Sequence, residues 1–156
     1  MSNLKQLPLH AVHQTAGGKF APFAGYNMPV QYPAGVMTEH LHTRTKAGLF
    51  DVSHMGQLKL PLSAVDALET LLPTDIRGLP IGRQCYSLLT TESGGVLDDL
   101  MIARRQEDYL LVVNASRRDA DLEHLGRHIK DVVTIDDRAL LAVQGPCAEA
   151  VLMPLI

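Results

Sequence analysis

The spacing of apolar positions changes along the chain, and each change marks an element. Residues 36–47, "VMTEHLHTRTKA", have helical composition. "GLFDVSHMGQLKL" then runs into a strand near Gln57–Leu60. In "SAVDALETLLP", Ala64, Leu68, Leu71 and Leu72 recur at helical spacing behind Ser63, a candidate cap. A meander follows: "CYSLLTT" as a strand, "ESGG" as a tight turn, "VLDDLMIARR" as a strand, "QED" as a second turn and "YLLVVNAS" as a third strand. Ser116 with Asp119 forms a capping-box pattern for the helix "RRDADLEHLGRHIK". "VVTIDD" and "ALLAVQ" predict two more strands, and a helix opens after Pro146. Residues 1–35 contain "AGGKFAPFAGYNMPVQYPAG", whose Gly and Pro predict ordered loop with short strands and no helix. Hairpins join the central strands, so the fold class is α+β, a largely antiparallel sheet with flanking helices.

Two adjacent acids, Asp98 and Asp99, interrupt the apolar run of the middle strand. A strand alternates its faces, so the pair cannot share a side. The two turns fix the register. With "ESGG" as the first turn, Asp99 faces Leu88 and Tyr86 faces Met101; with "QED" as the second, Asp99 faces Asn114. One sheet face then gathers Tyr86, Asp99, Met101 and Asn114 among Leu88 and Val112. The other carries Asp98 with Val96, Leu100 and Ile102. A carboxylate beside a phenol and an amide on an apolar face is a candidate site. The alternative is an Asp held by hydrogen bonds at a strand end, with Asn114 closing the next strand.

Charge and composition narrow the function classes. The 156 residues correspond to about one domain, with a net charge of −3 and 4% aromatic residues. That balance offers neither a polyanion-binding stripe nor a base-stacking platform, so no nucleic-acid partner is expected. No apolar run reaches the ~20 residues of a membrane span. "MSNLKQLPLH" has neither a signal-peptide core nor a transit-peptide pattern, which predicts a bacterial cytoplasmic protein. Cys85 and Cys147 form no CxxC pattern and are expected as reduced thiols. The end "QGPCAEAVLMPLI" leaves Leu155 and Ile156 in need of a partner surface, so the chain is expected to be the front part of a larger protein.

Other motifs carry less. His124 and His128 stand four apart on one helix, a metal-like pair without an evident third ligand, so no metal is expected. "HLH" at 40–42 is read as a helix surface. Ser53 and His54 of "DVSHMG" are sequence neighbours, which rarely point at each other as nucleophile and base; a hydrolase is rejected. No glycine pair fits a phosphate-binding loop.

Taken together, "PFAGYNMPVQY", "AGLFDVSHMGQ", "GGVLDDL" and "LLVVNAS", in this order and spacing, resemble the glycine cleavage system T protein family, the aminomethyltransferases. The resemblance runs from about Leu4 to the end. It implies that residues 1–156 are the N-terminal part of the family's folate-binding domain, truncated, with later domains absent and the fragment inactive alone. In that family an aminomethyl group on the lipoyl arm of H protein yields its carbon to N5 of tetrahydrofolate. Ammonia leaves and 5,10-methylenetetrahydrofolate forms. The family's key acid falls on Asp99, and its folate contacts fall on Met55, Tyr86 and Asn114. Ala103 stands where some members carry a Tyr. A carboxylate aimed at the cationic, iminium-like carbon would stabilise it, and Asn114 or backbone N–H groups would keep Asp99 ionised. Asp98 would anchor neighbouring backbone. The alternatives are a folate-binding relative of the iron–sulfur assembly type, the folate-binding tail of a sarcosine or dimethylglycine dehydrogenase, and a purely structural fragment.

Overall fold

The computed structural model describes residues 4–156. They divide into two compact units, one built from residues up to 54 together with 138–156, the other from 55–137. The first unit holds helix α1 (His10–Thr15), the hairpin β1 (Lys19–Phe23) and β2 (Tyr26–Gln31), helix α2 (Val36–Thr45), strand β3 (Gly48–Asp51), and, from the chain's end, β9 (Leu141–Gln144) and α5 (Ala148–Leu152). The second holds β4 (Gly56–Pro61), α3 (Val65–Leu71), β5 (Gln84–Thr90), β6 (Val96–Arg104), β7 (Asp108–Val113), α4 (Arg118–His128) and the two-residue β8 (Val133–Thr134).

The second unit is a five-stranded antiparallel sheet in the order β5-β6-β7-β4-β8. Period-2 patterning decides its faces. On β7, Tyr109, Leu111 and Val113 are buried while Leu110 and Val112 are half-buried. Leu58 and Leu60 of β4, Leu100 and Ile102 of β6, and Leu89 of β5 join the buried face. Leu68 and Leu71 of α3 and Leu125 of α4 close this core. Each fully buried leucine contributes roughly 1.5–3 kcal/mol over its exposed state, so this face dominates the stability of the unit. The sheet's opposite face is less covered but still apolar, with Leu88, Met101, Ala103, Leu110 and Val112 all half-buried.

In the first unit β3 pairs antiparallel with β9, Gly48 opposite Gln144 through Asp51 opposite Leu141. Gly145, next to β9, has φ +117°, and a Cβ there would lie 2.5 Å from the Lys46 carbonyl oxygen. His13 Nε2 meets the Asp51 carboxylate at 2.8 Å, His13 Nδ1 meets the Tyr32 hydroxyl at 2.6 Å, and the Ser53 hydroxyl donates to Asp51. This polar network ties α1 and β3 to the residue after β2 and the residue before β9, because Ser53 Oγ also accepts from the Leu140 amide at 2.9 Å.

Four expectations change. Residues 1–35 include a short helix, α1, besides the two strands. Ser63 lies inside a 3-10 turn, Leu62–Ala64, and caps nothing. Ser116 and Asp119 form no capping box: helix α4 follows Arg117 and has no side-chain cap, while Asp119 and Asp121 place charge in its first turn. The strand expected from "VVTIDD" shrinks to Val133–Thr134, since only those residues pair with Lys59 and Leu58 of β4.

Candidate functional site

The site is a matter of register. Along β5 and β6, Tyr86 pairs with Met101, Leu88 with Asp99 and Leu89 with Asp98. Beyond Asp98 the pairing slips, and Thr90 faces Val96, leaving Leu97 as the extra residue of a bulge. The bulge absorbs the mismatch between the loop Thr91–Gly95 and the ladder, so the alignment that matters at Asp99 is the one the turns predict. Bulges of this kind often stand where a strand re-aims side chains next to a site. Along β6 and β7, Leu100 pairs with Val113 and Met101 with Val112, as the second turn requires.

Asn114 lies one residue past the end of β7. Its side-chain amide donates to the Asp99 carboxylate at 3.0 Å and to the Asp98 carboxylate at the same distance. It also reaches the Asp99 carbonyl oxygen at 3.3 Å. Asp99 is half-buried and Asp98 buried. An amide N–H suits an ionised carboxylate, which can only accept. The amide sits at the rim of the sheet, where strand alternation has ended, and so it reaches acids on both faces. Asp98 therefore does not anchor neighbouring backbone as expected; its partners are side chains.

Tyr86 lies across from Met101, diagonal to Asp99, and its ring is 60% exposed. Partial desolvation and then the Asp99 carboxylate hold its phenol above the ordinary tyrosine value. Met55 directly precedes β4, whose ladder ends with Gly56 opposite Val113. One register step further places Met55 level with Asn114. Gly56 keeps that approach close: a Cβ there would meet Val113 Cγ2 at 2.6 Å. The structure thus brings Tyr86, Asp99 and Asn114 together on one sheet face and sets Met55 at its rim. Ala103 lies on the same face, opposite Leu110.

Sequence reasoning missed one residue. Asp121 on α4 is only 1% exposed, and its carboxyl lies within reach of Asp98 on the buried face of the sheet. Its folded-state value is raised to about 7, by desolvation first and then by Asp98. The available signal was its position: Asp121 stands four residues before Leu125, on the helix stripe that meets the core.

The other motifs settle plainly. Ser53 donates to Asp51, while His54 lies against the rings of Phe23 and Tyr26, so serine and histidine are not paired. In the His13–Asp51–Ser53 network the carboxylate lies between the other two, so the imidazole does not meet the serine hydroxyl as it does in a Ser-His-Asp triad. The His124 and His128 rings lie 5.2 Å apart, and among the described residues no group of three or more His, Cys, Asp or Glu is placed to hold a metal ion. Cys85 and Cys147 are free thiols. Among the described residues no helix is long and apolar enough to cross a membrane.

Comparison with known proteins gives a consistent answer. The family model described as GCVT N-terminal domain matches residues 9–156. The chain is 46% identical over 159 residues to an aminomethyltransferase of Rubrobacter xylanophilus, covering 98% of this chain and 42% of that protein. It is 40% identical over 167 residues to a mitochondrial aminomethyltransferase of Dictyostelium discoideum, covering 99% of this chain and 41% of that protein. The crystal structure of the glycine cleavage system aminomethyltransferase T from Bartonella henselae superposes with a TM-score of 0.89 at 45% identity, over 97% of this chain and 44% of that one. The chain spans about two fifths of the length of these relatives.

Proposed function

Because the chain belongs to the GCVT N-terminal domain family, we propose that it is the N-terminal part of the folate-binding domain of a glycine cleavage aminomethyltransferase. In a protein of full family length it serves transfer of a one-carbon unit from an aminomethyl group on lipoylated H protein to tetrahydrofolate, with release of ammonia. The observation that carries this reading is the Asp99 carboxylate fixed by the Asn114 amide at 3.0 Å on a half-buried apolar sheet face. The relatives bear the transferase name, which favours transfer over folate binding without transfer, as in the iron–sulfur assembly relatives.

The face suits a flat, polar-edged ring. Tyr86 offers an exposed aromatic surface, and Met101, Leu88 and Val112 offer apolar contact beside it. Met55, Tyr86, Asp99 and Asn114 are the residues that would hold tetrahydrofolate. When bound, tetrahydrofolate supplies the amine that accepts the one-carbon unit. Asp99 then supplies a fixed negative charge toward positive charge that develops at the transferred carbon, and an acceptor that orients an N–H or takes its proton. Asn114 keeps that carboxylate in place without neutralising it. Such a group acts on the transition state more than on the ground state.

Replacing Asp99 by Asn keeps the shape and removes the charge. In a protein of full family length that carries this segment, turnover is expected to fall ~10²–10⁴-fold with little change in folate affinity. Methylenetetrahydrofolate formation from aminomethyl-loaded H protein measures the first, and calorimetry the second. A variant that melts early but keeps a normal rate per folded molecule would make Asp99 a scaffold residue.

A further inference from the structure

Beneath Asp99 lies a second acid pair, outside the residues assigned above. Asp98 of β6 and Asp121 of α4 are 9% and 1% exposed, and their carboxyls lie close enough to share a hydrogen bond. The Oδ2 atom of each is fully buried, and no donor reaches either one. Two ionised carboxylates only accept, so neither can satisfy the other. Buried acceptors without a donor are costly, and like charges at this range cannot both persist. One proton between them removes both problems, since it turns one acid into a donor for the other.

We infer that Asp98 and Asp121 share a single proton and that this half-neutralised pair is the positioning device for Asp99. The connection is Asn114, whose amide divides between Asp98 and Asp99 at 3.0 Å each. With one proton in the pair, Asp98 keeps an acceptor for Asn114, and Asn114 keeps a hydrogen for Asp99. Loss of the proton puts a second buried negative charge beside Asp98. That charge competes for Asn114 and weakens its hold on Asp99. Asp121 is thus a positioning residue that acts through Asp98 and Asn114. The positioning role rests on the reading of Asp99 given above; the shared proton does not.

The charged surroundings of the pair fit one proton rather than none or two. Desolvation and the two β6 acids, Asp98 and Asp99, favour the protonated form of Asp121, while Arg117 opposes it. Glu123, His124 and Arg127 of α4 line the same small cleft as Asp121. Burial, His128 and Arg127 hold His124 below the ordinary histidine value, so it adds little positive charge at neutral pH.

Carboxyl carbon NMR of the 156-residue chain between pH 4 and 9 tests the proton directly. One carboxyl of the pair is expected to titrate close to pH 7, and the Asn114 side-chain amide shifts with the same midpoint. In Asp121→Asn, which keeps a neutral donor at that position, both signals should become flat above about pH 5, past the ordinary aspartate range. If both wild-type carboxyls are fully ionised by pH 5, the shared proton is refuted. The positioning role is tested in a protein of full family length. Asp121→Asn should keep the rate at pH 6.5 and lose its dependence on pH near 7, while Asp121→Ala should lose ~10–100-fold in kcat, the scale of a misplaced catalytic group. An Asp121→Ala enzyme with wild-type rate and pH profile overturns the positioning role. If the NMR titration is present while Asp99→Asn is fully active, the transfer role of Asp99 fails and the shared proton stands.

Discussion

Asn114 is the residue on which the site turns. It sits just past the ladder of β7 and serves Asp98 and Asp99 at once. Leucine keeps the same branching at Cγ but donates nothing. Asn114→Leu strips both acids of their amide partner, and a buried acceptor left without a donor costs ~1–3 kcal/mol. Urea unfolding of the chain should show that loss as a lower midpoint with an unchanged slope. Asn114→Asp should cost more, because it adds a third carboxylate to the two already in reach. Should Asn114→Leu unfold at the wild-type midpoint, the amide contributes nothing to the fold, and its place would have to be explained by the site alone.

At the scale of elements, close strand and helix approach is what the second unit depends on, and Gly56 shows it. A Cβ at Gly56 would stand 2.6 Å from Val113 Cγ2 and 2.9 Å from Arg118 Cγ. Val113 is fully buried and cannot turn away, so Gly56→Ala should cost ~1–3 kcal/mol through overpacking. Thermal melts of the chain measure this, and a neutral result would mean β4 moves freely against β7. The same scale separates what the sequence made legible from what it hid. Register at Asp99 was readable because two short turns bracket β6 and alternation does the rest. The bulge at Leu97 was not readable, since an extra residue leaves the apolar pattern of its neighbours intact. Strand β3 was hidden because its partner β9 lies some ninety residues away, and a four-residue run carries too little pattern alone. The caps failed for another reason. Ser63 and Ser116 have the right residue type, but a 3-10 turn and Arg117 take up the positions where a cap must stand. Asp121 escaped notice because a charged residue early in a helix is usually explained by the helix dipole. Only the contact with Asp98 shows that it faces inward.

For the whole molecule, the two units carry opposite pH sensitivities. In the first, desolvation pushes Asp51 up, but hydrogen bonds from His13 and Ser53, with the His13 charge, outweigh it and leave Asp51 below the ordinary aspartate value. A depressed acid stabilises the fold above its unfolded value of 3.8 and loses that contribution as pH falls through the lower folded value. In the second, Asp121 is raised from 3.8 to about 7. There the folded state holds the proton more tightly, so the contribution is full below pH 3.8 and disappears as pH rises through 7. The two windows meet near pH 3.8, where the Asp51 contribution is complete and the loss of the Asp121 contribution begins, so these two groups place the maximum there. Asp121→Asn should remove the decline between pH 3.8 and about 7 and raise Tm at pH 8 by ~2–4 °C for each kcal/mol recovered, while leaving the acid limb unchanged. Asp51→Asn should lower Tm across the range and flatten the acid limb. Residue-resolved hydrogen exchange separates the two effects. As pH rises from 3.8 to about 7, protection should fall first in residues 55–137; near pH 3, in the unit formed by residues 4–54 and 138–156. Uniform loss of protection at both extremes would show instead that the chain opens as one cooperative body. The limbs would then report net charge rather than Asp51 and Asp121.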